Sequence, residues 1–205
     1  MRLYDYYRSS CSYRVRIALN WKQLSFDKVA VDLLKEEHHR ADYYTLNPQS
    51  LVPALEDHGQ CITQSLAILE YLEEAYPTPA LLPETPYERA QVRSLSLMIA
   101  CDIHPLNNLR VLKTLRHEWH ADSSQITQWY HHWLREGFTA IEKKLSDHPR
   151  KQPFCYADQV TLADICLIPQ VYNALRYEFS LKPYPIIGAI NQHCLNLTAF
   201  AKAEP

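Results

Sequence analysis

The sequence predicts an α/β domain over residues 1–80 followed by an all-helical domain over residues 87–205. Three observations lead to this fold class. Strand-type and helix-type patterns alternate in the first third of the chain. Four prolines fall within the ten residues 77–86, and this segment is predicted to be a linker because a helix interior does not tolerate them. Beyond it, strand-type patterns nearly vanish and long helical patterns dominate.

The N-terminal domain is predicted to contain a small mixed sheet. Strand-type patterns occupy the stretches 2–7, 26–33, 51–56 and 61–63. Helix-type spacing occupies 13–23 and 64–76. The turn signal Asp57-His58-Gly59 joins the last two strands into a hairpin. The order strand, helix, strand, strand, strand, helix implies both parallel and antiparallel pairs.

The C-terminal domain is predicted to consist of long helices, over 87–115, 124–145 and 161–176. Pro105 is expected to bend or break the first of these helices. The third begins with a capping box, because the Thr161 side chain caps the helix and Asp164, three residues later, returns the hydrogen bond.

Length, charge and cysteine content narrow the class of protein. With 205 residues and a net charge of −2, the chain can bury a substantial core and gives no indication of nucleic acid or a membrane surface as partner. The N-terminus is unlike a signal peptide, and no apolar run approaches the roughly 20 residues that span a bilayer. Six widely spread cysteines without a C-x-x-C pair are typical of the reduced cytoplasm. His117 and His120 lack the spacing of a zinc motif, so no metal site is predicted.

The segment 8–19, Arg-Ser-Ser-Cys-Ser-Tyr-Arg-Val-Arg-Ile-Ala-Leu, is the most informative part of the sequence. It places two hydroxyls and a thiol at the N-terminus of a helix, directly after a short strand. Backbone N–H groups there lack intrahelical acceptors, and the helix dipole favours negative charge. Arginines at 8, 14 and 16 add positive charge. The segment therefore predicts a site for a reactive anion.

The polar residues of this segment leave alternatives open. Cys11 is either a nucleophile whose thiolate the helix N-terminus stabilises or a small buried apolar residue. Ser9 and Ser10 are candidates to donate to the anion, but serine at this position most often caps the helix. Capping occupies one hydroxyl and leaves the other free, so both interpretations can hold together.

Two further segments of the first domain carry weaker signals of a binding site. A cis Val52-Pro53 bond would expose the preceding backbone as an edge for an extended ligand, whereas a trans turn proline is the commoner case. Gln64-Ser65 begins a second helix, which also provides an N-terminus suited to an anion.

Taken together, these segments resemble the zeta class of the glutathione transferase family over essentially the whole chain. The most specific match is Ser9-Ser10-Cys11-Ser12 followed by Arg14-Val-Arg-Ile-Ala-Leu19. Further matching segments are Leu46-Asn-Pro48, Val52-Pro53, Gln64-Ser-Leu-Ala-Ile68, Glu70-Tyr-Leu-Glu-Glu74, Cys101-Asp-Ile-His-Pro-Leu-Asn-Asn108 and Val160-Thr-Leu-Ala-Asp164.

The resemblance implies the glutathione transferase fold, with a thioredoxin-like N-terminal domain and a helical C-terminal domain, in a homodimer. It also implies that the anion is the thiolate of glutathione. The implied reaction is the cis–trans isomerisation of the dicarboxylate maleylacetoacetate to fumarylacetoacetate, in tyrosine and phenylalanine breakdown. The thiolate adds to the conjugated alkene, the bond rotates, and glutathione leaves unchanged.

The resemblance also implies roles for individual residues. The thiolate lies beside Ser9 and Ser10, with a serine as its activator and Cys11 in a supporting role. Glutathione is bound by two groups of residues: Val52, a cis Pro53, Gln64 and Ser65, and His38, His104, Asn108 and Arg110. The substrate carboxylates are bound by Arg8 and Arg176. Arg14 and Arg16 are expected only to decorate the surface of the helix.

Three rival functions remain at the level of sequence. A maleylpyruvate isomerase shares the Lys-Glu-Glu-His segment at 35–38 and the Asp-Ile-His-Pro segment at 102–105. A general conjugating or dehalogenating transferase would use the same thiolate. A binding protein that uses this fold as an interaction surface is disfavoured by the intact Ser9, Val52-Pro53 and Gln64-Ser65 set.

Overall fold

The protein forms two compact units in this computed structural model, which describes residues 1–147 and 151–205. The first unit comprises Met1–Leu81 together with Asn196–Pro205, and the second comprises Leu82–Leu195. The last ten residues thus group with the N-terminal unit, whereas the sequence assigns them to the helical domain. The domain limits 1–80 and 87–205 remain predictions.

The first unit contains a four-stranded mixed sheet in the order β2-β1-β3-β4. Its strands are β1 Arg2–Asp5, β2 Asp27–Ala30, β3 Ala54–Asp57 and β4 Gln60–Thr63. β1 pairs in parallel with β2 and antiparallel with β3, and β3 pairs antiparallel with β4. The predicted mixed sheet is therefore confirmed. The prediction that a strand covers 51–56 is wrong at its start, because β3 begins only after the proline.

The helices of the first unit are α1 Ser10–Trp21, α2 Ala41–Leu46, α3 Ser65–Ala75 and, near the C-terminus, α9 Thr198–Ala201. α1 begins before the predicted 13–23, because Ser9 caps it. It ends where Gln23 takes a positive φ of 56°. The polar segment that precedes α2 contains a short 3-10 turn, Glu37–His39. The sequence pattern predicted neither α2 nor this turn.

Two buried ion pairs connect the elements of this unit. Arg16 on α1 donates to Asp5 on β1 at 2.7 Å and to the carbonyl of Ala203 at 2.8 Å. Lys22, directly after α1, donates to Glu73 on α3 at 3.0 Å, and the Glu73 carboxylate also accepts from a backbone N–H. Arg16 is only 2% exposed, so the expectation that it decorates the helix surface is wrong.

The second unit is helical in the residues that the structure describes. Its helices are α4 Pro86–Leu97, α5 Leu109–His117, α6 Ser123–Ser146, α7 Leu162–Arg176 and α8 Pro185–Leu195. The last proline of the predicted linker is the first residue of α4, where its missing N–H costs nothing. α4 continues in π-helical turns over Met98–Ile103, and the helix breaks around Pro105 as predicted.

The capping box at the start of α7 is present. The Asp164 carboxylate accepts from the N–H and the hydroxyl of Thr161, both at 2.8 Å, and from the N–H of Cys155. Burial raises the pKa of Asp164, and these donors lower it in part. Outside residues 148–150, no helix is long and apolar enough to cross a membrane. The same residues include no cluster of three His, Cys, Asp or Glu side chains that could hold a metal ion.

Candidate functional site

Ser9, Ser10 and Cys11 lie at the N-terminus of α1. Ser9 precedes the helix with extended backbone, and its Oγ accepts from the N–H of Ser12 at 3.2 Å. The Ser9 hydroxyl proton has no acceptor among the residues described, so this hydroxyl caps the helix and can still donate. Ser10 is buried and Cys11 is half-buried.

Arg14 connects this turn to α3. Its Nη1 donates to Ser65 Oγ at 3.3 Å and approaches Cys11 Sγ at 3.9 Å. The side chain is buried, with the residue only 1% exposed, so the expectation that Arg14 lies on the helix surface is wrong. The sequence indicates that Arg14 is buried, because Ile17 and Trp21 follow it at helical spacing on the same side of α1.

The N-terminus of α3 is open to an anion. Gln64 precedes the helix at a φ of 70°, and no side chain caps the helix there. Gln64 Nε2 donates to Oε1 of Gln49 at 2.6 Å. Ser65, the first helical residue, is buried. The unpaired N–H groups of this turn and the Ser65 hydroxyl therefore form a set of donors.

The Val52–Pro53 peptide bond is cis, as the resemblance implied. Both residues are buried at the entrance to β3. In the described part of the chain, the Val52 backbone makes no hydrogen bond. The preceding carbonyl, of Leu51, accepts from Tyr43 at 2.6 Å and from Asn47 at 2.7 Å, which fixes the segment. The Val52 N–H and C=O thus remain available to an extended ligand.

The remaining predicted residues of the first unit are Arg8 and His38. Arg8 is exposed, and its guanidinium lies 5.2 Å from the ring centroid of Tyr7. His38 lies half-buried in the 3-10 turn, with its ring 4.0 Å from that of His39. No hydrogen bond joins either residue to Ser9, Val52 or Ser65 in the structure's described residues.

In the second unit, His104, Asn108 and Arg110 lie together before and within the first turn of α5. Asn108 caps this helix, because its Oδ1 accepts from the N–H of Arg110 at 3.1 Å. Its Nδ2 then faces Nε2 of His104 at 3.3 Å. This contact makes Nε2 an acceptor and places the ring proton of neutral His104 on Nδ1. The Arg110 side chain is exposed.

Arg176 lies in the last turn of α7, with its guanidinium exposed and 5.8 Å from the ring centroid of Tyr172. Tyr130 is nearby, buried and stacked on Tyr177 at 3.7 Å. Burial raises the pKa of Tyr130 and the positive charge of Arg176 lowers it in part. Arg176 therefore presents a cation beside an aromatic surface.

Comparisons with known proteins agree with this fold. Residues 1–74 match the family described as glutathione S-transferase, N-terminal domain. A probable maleylacetoacetate isomerase from Vibrio cholerae is 47% identical, covering 99% of this chain and 94% of the relative. A solved bacterial maleyl pyruvate isomerase, described as a zeta-class glutathione S-transferase in its holo form, has 46% identity and a TM-score of 0.98, covering 100% and 97%. A solved maleylacetoacetate isomerase from Methylobacterium extorquens AM1, with bound malonate and GSH, has 37% identity and a TM-score of 0.96, covering 100% and 96%.

The mixed sheet with its cis proline, and the helical unit after it, define a protein with a thioredoxin-like fold and an additional helical domain. The chain belongs to the glutathione S-transferase family, and its similarity over the full length is to members of the zeta class.

Proposed function

We propose that this protein is a glutathione-dependent isomerase that converts maleylacetoacetate to fumarylacetoacetate. The observation that carries the proposal is the Ser9 hydroxyl, which accepts from the helix N-terminus and keeps its own proton for a thiolate. Full-length relatives with this activity in their names support the assignment.

Three features of the N-terminal unit suit three parts of glutathione. The Ser9 hydroxyl suits the thiolate. The free Val52 backbone, beside cis Pro53, suits the amide groups of the cysteinyl residue. The open N-terminus of α3, with Gln64 and Ser65, suits the γ-glutamyl carboxylate.

The free energies are sufficient for activation of the thiol. A thiol with a pKa near 8.5 is mostly protonated at neutral pH, and lowering this pKa by two units needs about 2.7 kcal/mol. A helix N-terminus supplies roughly 0.3–1 kcal/mol, or up to about 2 in a partly buried geometry. A hydrogen bond from a hydroxyl to the thiolate supplies about 1.5–3 kcal/mol. We assign this hydroxyl to Ser9, with Ser10 and Cys11 supporting the turn.

When bound, glutathione supplies a thiolate that adds to the cis double bond of the substrate, permits rotation, and leaves to give the trans alkene. The substrate is a dianion, so the protein has to neutralise two carboxylates. We assign these to Arg176 and Arg8, because a guanidinium binds a carboxylate through two parallel hydrogen bonds. The further glutathione contacts that we assign are His38, His104, Asn108 and Arg110.

The decisive experiment measures isomerisation of maleylacetoacetate by the purified protein with and without glutathione. We expect turnover only with glutathione, and no net consumption of glutathione as the product accumulates. Activity that persists after glutathione is removed would overturn the mechanism.

The second candidate is a maleylpyruvate isomerase, which the 46% identity to a solved enzyme of that name favours. Turnover of the two substrates under the same conditions separates the candidates, and we expect maleylacetoacetate to have the higher kcat/KM. Conjugation or dehalogenation of small α-halo acids is expected as a slower side activity of the same thiolate.

We propose further that the protein acts as a homodimer in the cytoplasm. Membership of the glutathione S-transferase family supports both assignments. Sedimentation of the purified protein is expected to give twice the mass of one 24.0 kDa chain. Fractionation of cells that express the protein is expected to recover it with cytoplasmic markers.

A further inference from the structure

Arg14 is a buried cation whose charge the protein itself does not neutralise. The residue is 1% exposed, and no carboxylate of residues 1–147 and 151–205 pairs with it. Nη1 donates to Ser65 Oγ, but Nε and Nη2 have no acceptor in these residues. An unpaired buried charge is costly, and a ligand anion would reduce that cost.

Arg16, on the same helix, is the internal comparison. It is also buried, yet each of its nitrogens has an acceptor: Nε donates to Ala203 O, Nη1 to Asp5 and Nη2 to Tyr7 O. One turn of α1 therefore carries a guanidinium in which every nitrogen has an acceptor, Arg16, and a guanidinium in which two nitrogens have none in the described residues, Arg14. Of these two arginines, Arg14 is the one that contacts Ser65 and the one with nitrogens that lack an acceptor.

The contact with Arg14 determines what the Ser65 hydroxyl can do. Because Ser65 Oγ accepts from Nη1, its own proton is free to be donated elsewhere. That proton lies at the N-terminus of α3, where the backbone N–H groups also lack a side-chain acceptor. A charged donor strengthens the hydrogen bond and polarises the hydroxyl, which favours a carboxylate as the next acceptor.

We propose that Arg14 is a positioning residue for the γ-glutamyl carboxylate of glutathione. It holds Ser65 as a donor toward that carboxylate and supplies the positive charge that balances the ligand. The inference rests on the proposed function, since glutathione is the ligand.

The test is calorimetric binding of two ligands to the full-length protein and its variants. One ligand is glutathione, and the other is an analogue whose γ-glutamyl residue lacks the α-carboxylate. Arg14→Met removes the charge while keeping a side chain of similar length. Arg14→Lys keeps the charge but loses the planar guanidinium that can donate to two acceptors at once. Arg16→Lys is the control for Arg14→Lys, because it changes a buried guanidinium of the same helix away from Ser65 and keeps a positive charge beside Asp5.

We expect Arg14→Met to weaken glutathione binding about ten- to hundredfold. The same variant should weaken binding of the analogue less than about threefold. Arg14→Lys should lie between the wild type and Arg14→Met. Arg16→Lys should change both affinities by the same factor. Equal weakening of the two ligands by Arg14→Met, or no weakening, would overturn the inference.

A second measurement covers the case in which Arg14→Met does not fold. In a Ser65→Ala background, Arg14→Lys should no longer weaken glutathione binding, because the residue through which it acts is absent. A full effect of Arg14→Lys in that background would refute the positioning role. Failure of the wild type to bind glutathione would instead overturn the proposed function itself.

Discussion

At the scale of single residues, the electrostatics of the N-terminal unit depend on which donors are already used. Each guanidinium nitrogen of Arg16 donates to an acceptor within the protein, whereas Nε and Nη2 of Arg14 have none in the residues described. Ser9 accepts a hydrogen bond and retains a proton, whereas Ser10 is buried within the turn. The proposed roles of Ser9 and Arg14 therefore rest on hydrogen-bonding groups that the described residues leave unused.

Ser9→Ala is expected to raise the pKa of bound glutathione by about one to two units, because the thiolate loses a hydrogen bond of about 1.5–3 kcal/mol. The ultraviolet absorbance of the thiolate, titrated against pH, measures this shift. Ser9→Thr keeps both the hydroxyl and the cap and should stay near the wild-type pKa. A larger shift in Ser10→Ala than in Ser9→Ala would reverse the assignment.

Arg176→Ala is expected to lower kcat/KM for isomerisation at least about tenfold, because a substrate carboxylate loses a charged, bidentate partner. Glutathione affinity should remain nearly unchanged. Steady-state kinetics and calorimetry separate the two effects. Arg176→Lys keeps the charge and should recover part of the rate, while a large loss of glutathione affinity would assign Arg176 to the cofactor instead.

At the scale of elements, Asp57 connects the β3–β4 hairpin to α3. It accepts from the hydroxyls of Tyr71 at 2.8 Å and Tyr76 at 2.9 Å. Burial alone would raise the pKa of Asp57, but the two tyrosine hydroxyls bring it below the ordinary value. The same hydrogen bond raises the pKa of Tyr71 to about 12. The interaction fixes α3, whose N-terminus carries Gln64 and Ser65.

Because the pKa of Asp57 is lowered in the folded protein, the ionised carboxylate stabilises the fold at pH values above the pKa of the unfolded chain. This stabilisation is lost as the pH falls through the pKa of the folded state. Tyr71→Phe is expected to reduce the free energy of unfolding by about 1 kcal/mol at pH 7. The loss should shrink as the pH falls below about 4, because Asp57 is then increasingly protonated and the Tyr71 hydroxyl loses its charged acceptor. Urea denaturation at pH 7 and pH 3 measures this. Tyr44→Phe, at an exposed tyrosine, should change neither value, and an equal loss at both pH values would contradict the role of Asp57.

At the scale of the whole molecule, residues 196–205 contact and stabilise α1. Asn20 donates to the carbonyl of Ala199 at 3.1 Å, Arg16 donates to that of Ala203, and Phe200 is fully buried. Residues 196–205 therefore form part of the first unit. Local sequence patterns do not predict this contact between α1 and residues 196–205.

Phe200→Ala is expected to lower the free energy of unfolding by about 3–5 kcal/mol, through lost burial and the cavity that remains. Denaturant unfolding measures the loss, and hydrogen exchange should show faster exchange of the α1 amides. Lys202→Ala, at an exposed position, is the control and should have little effect. An unchanged exchange rate in α1 would contradict its stabilisation by residues 196–205.

Local sequence patterns were sufficient to predict most of the helices and strands. They were insufficient to predict which distant residues these elements contact. The capping box of Thr161 and Asp164, the break at Pro105 and the mixed sheet follow from residue types at short spacing. The start of β3 was misplaced because an alternating pattern does not show where hydrogen bonding begins. The helix α2 was missed because its six residues are too few to show a helical period.

The sequence by itself determined the fold class, because caps, proline positions and apolar periodicity are local properties. Its motifs resemble the family to which the chain belongs, and they predict the segments of the candidate site. Tertiary structure alone decided which charges are buried and which donors remain unused. Arg14 and Arg16 have the same side chain and a similar local sequence. They differ because different residues contact them in the folded protein. Asp5 and Ala203 contact Arg16, whereas Ser65 contacts Arg14.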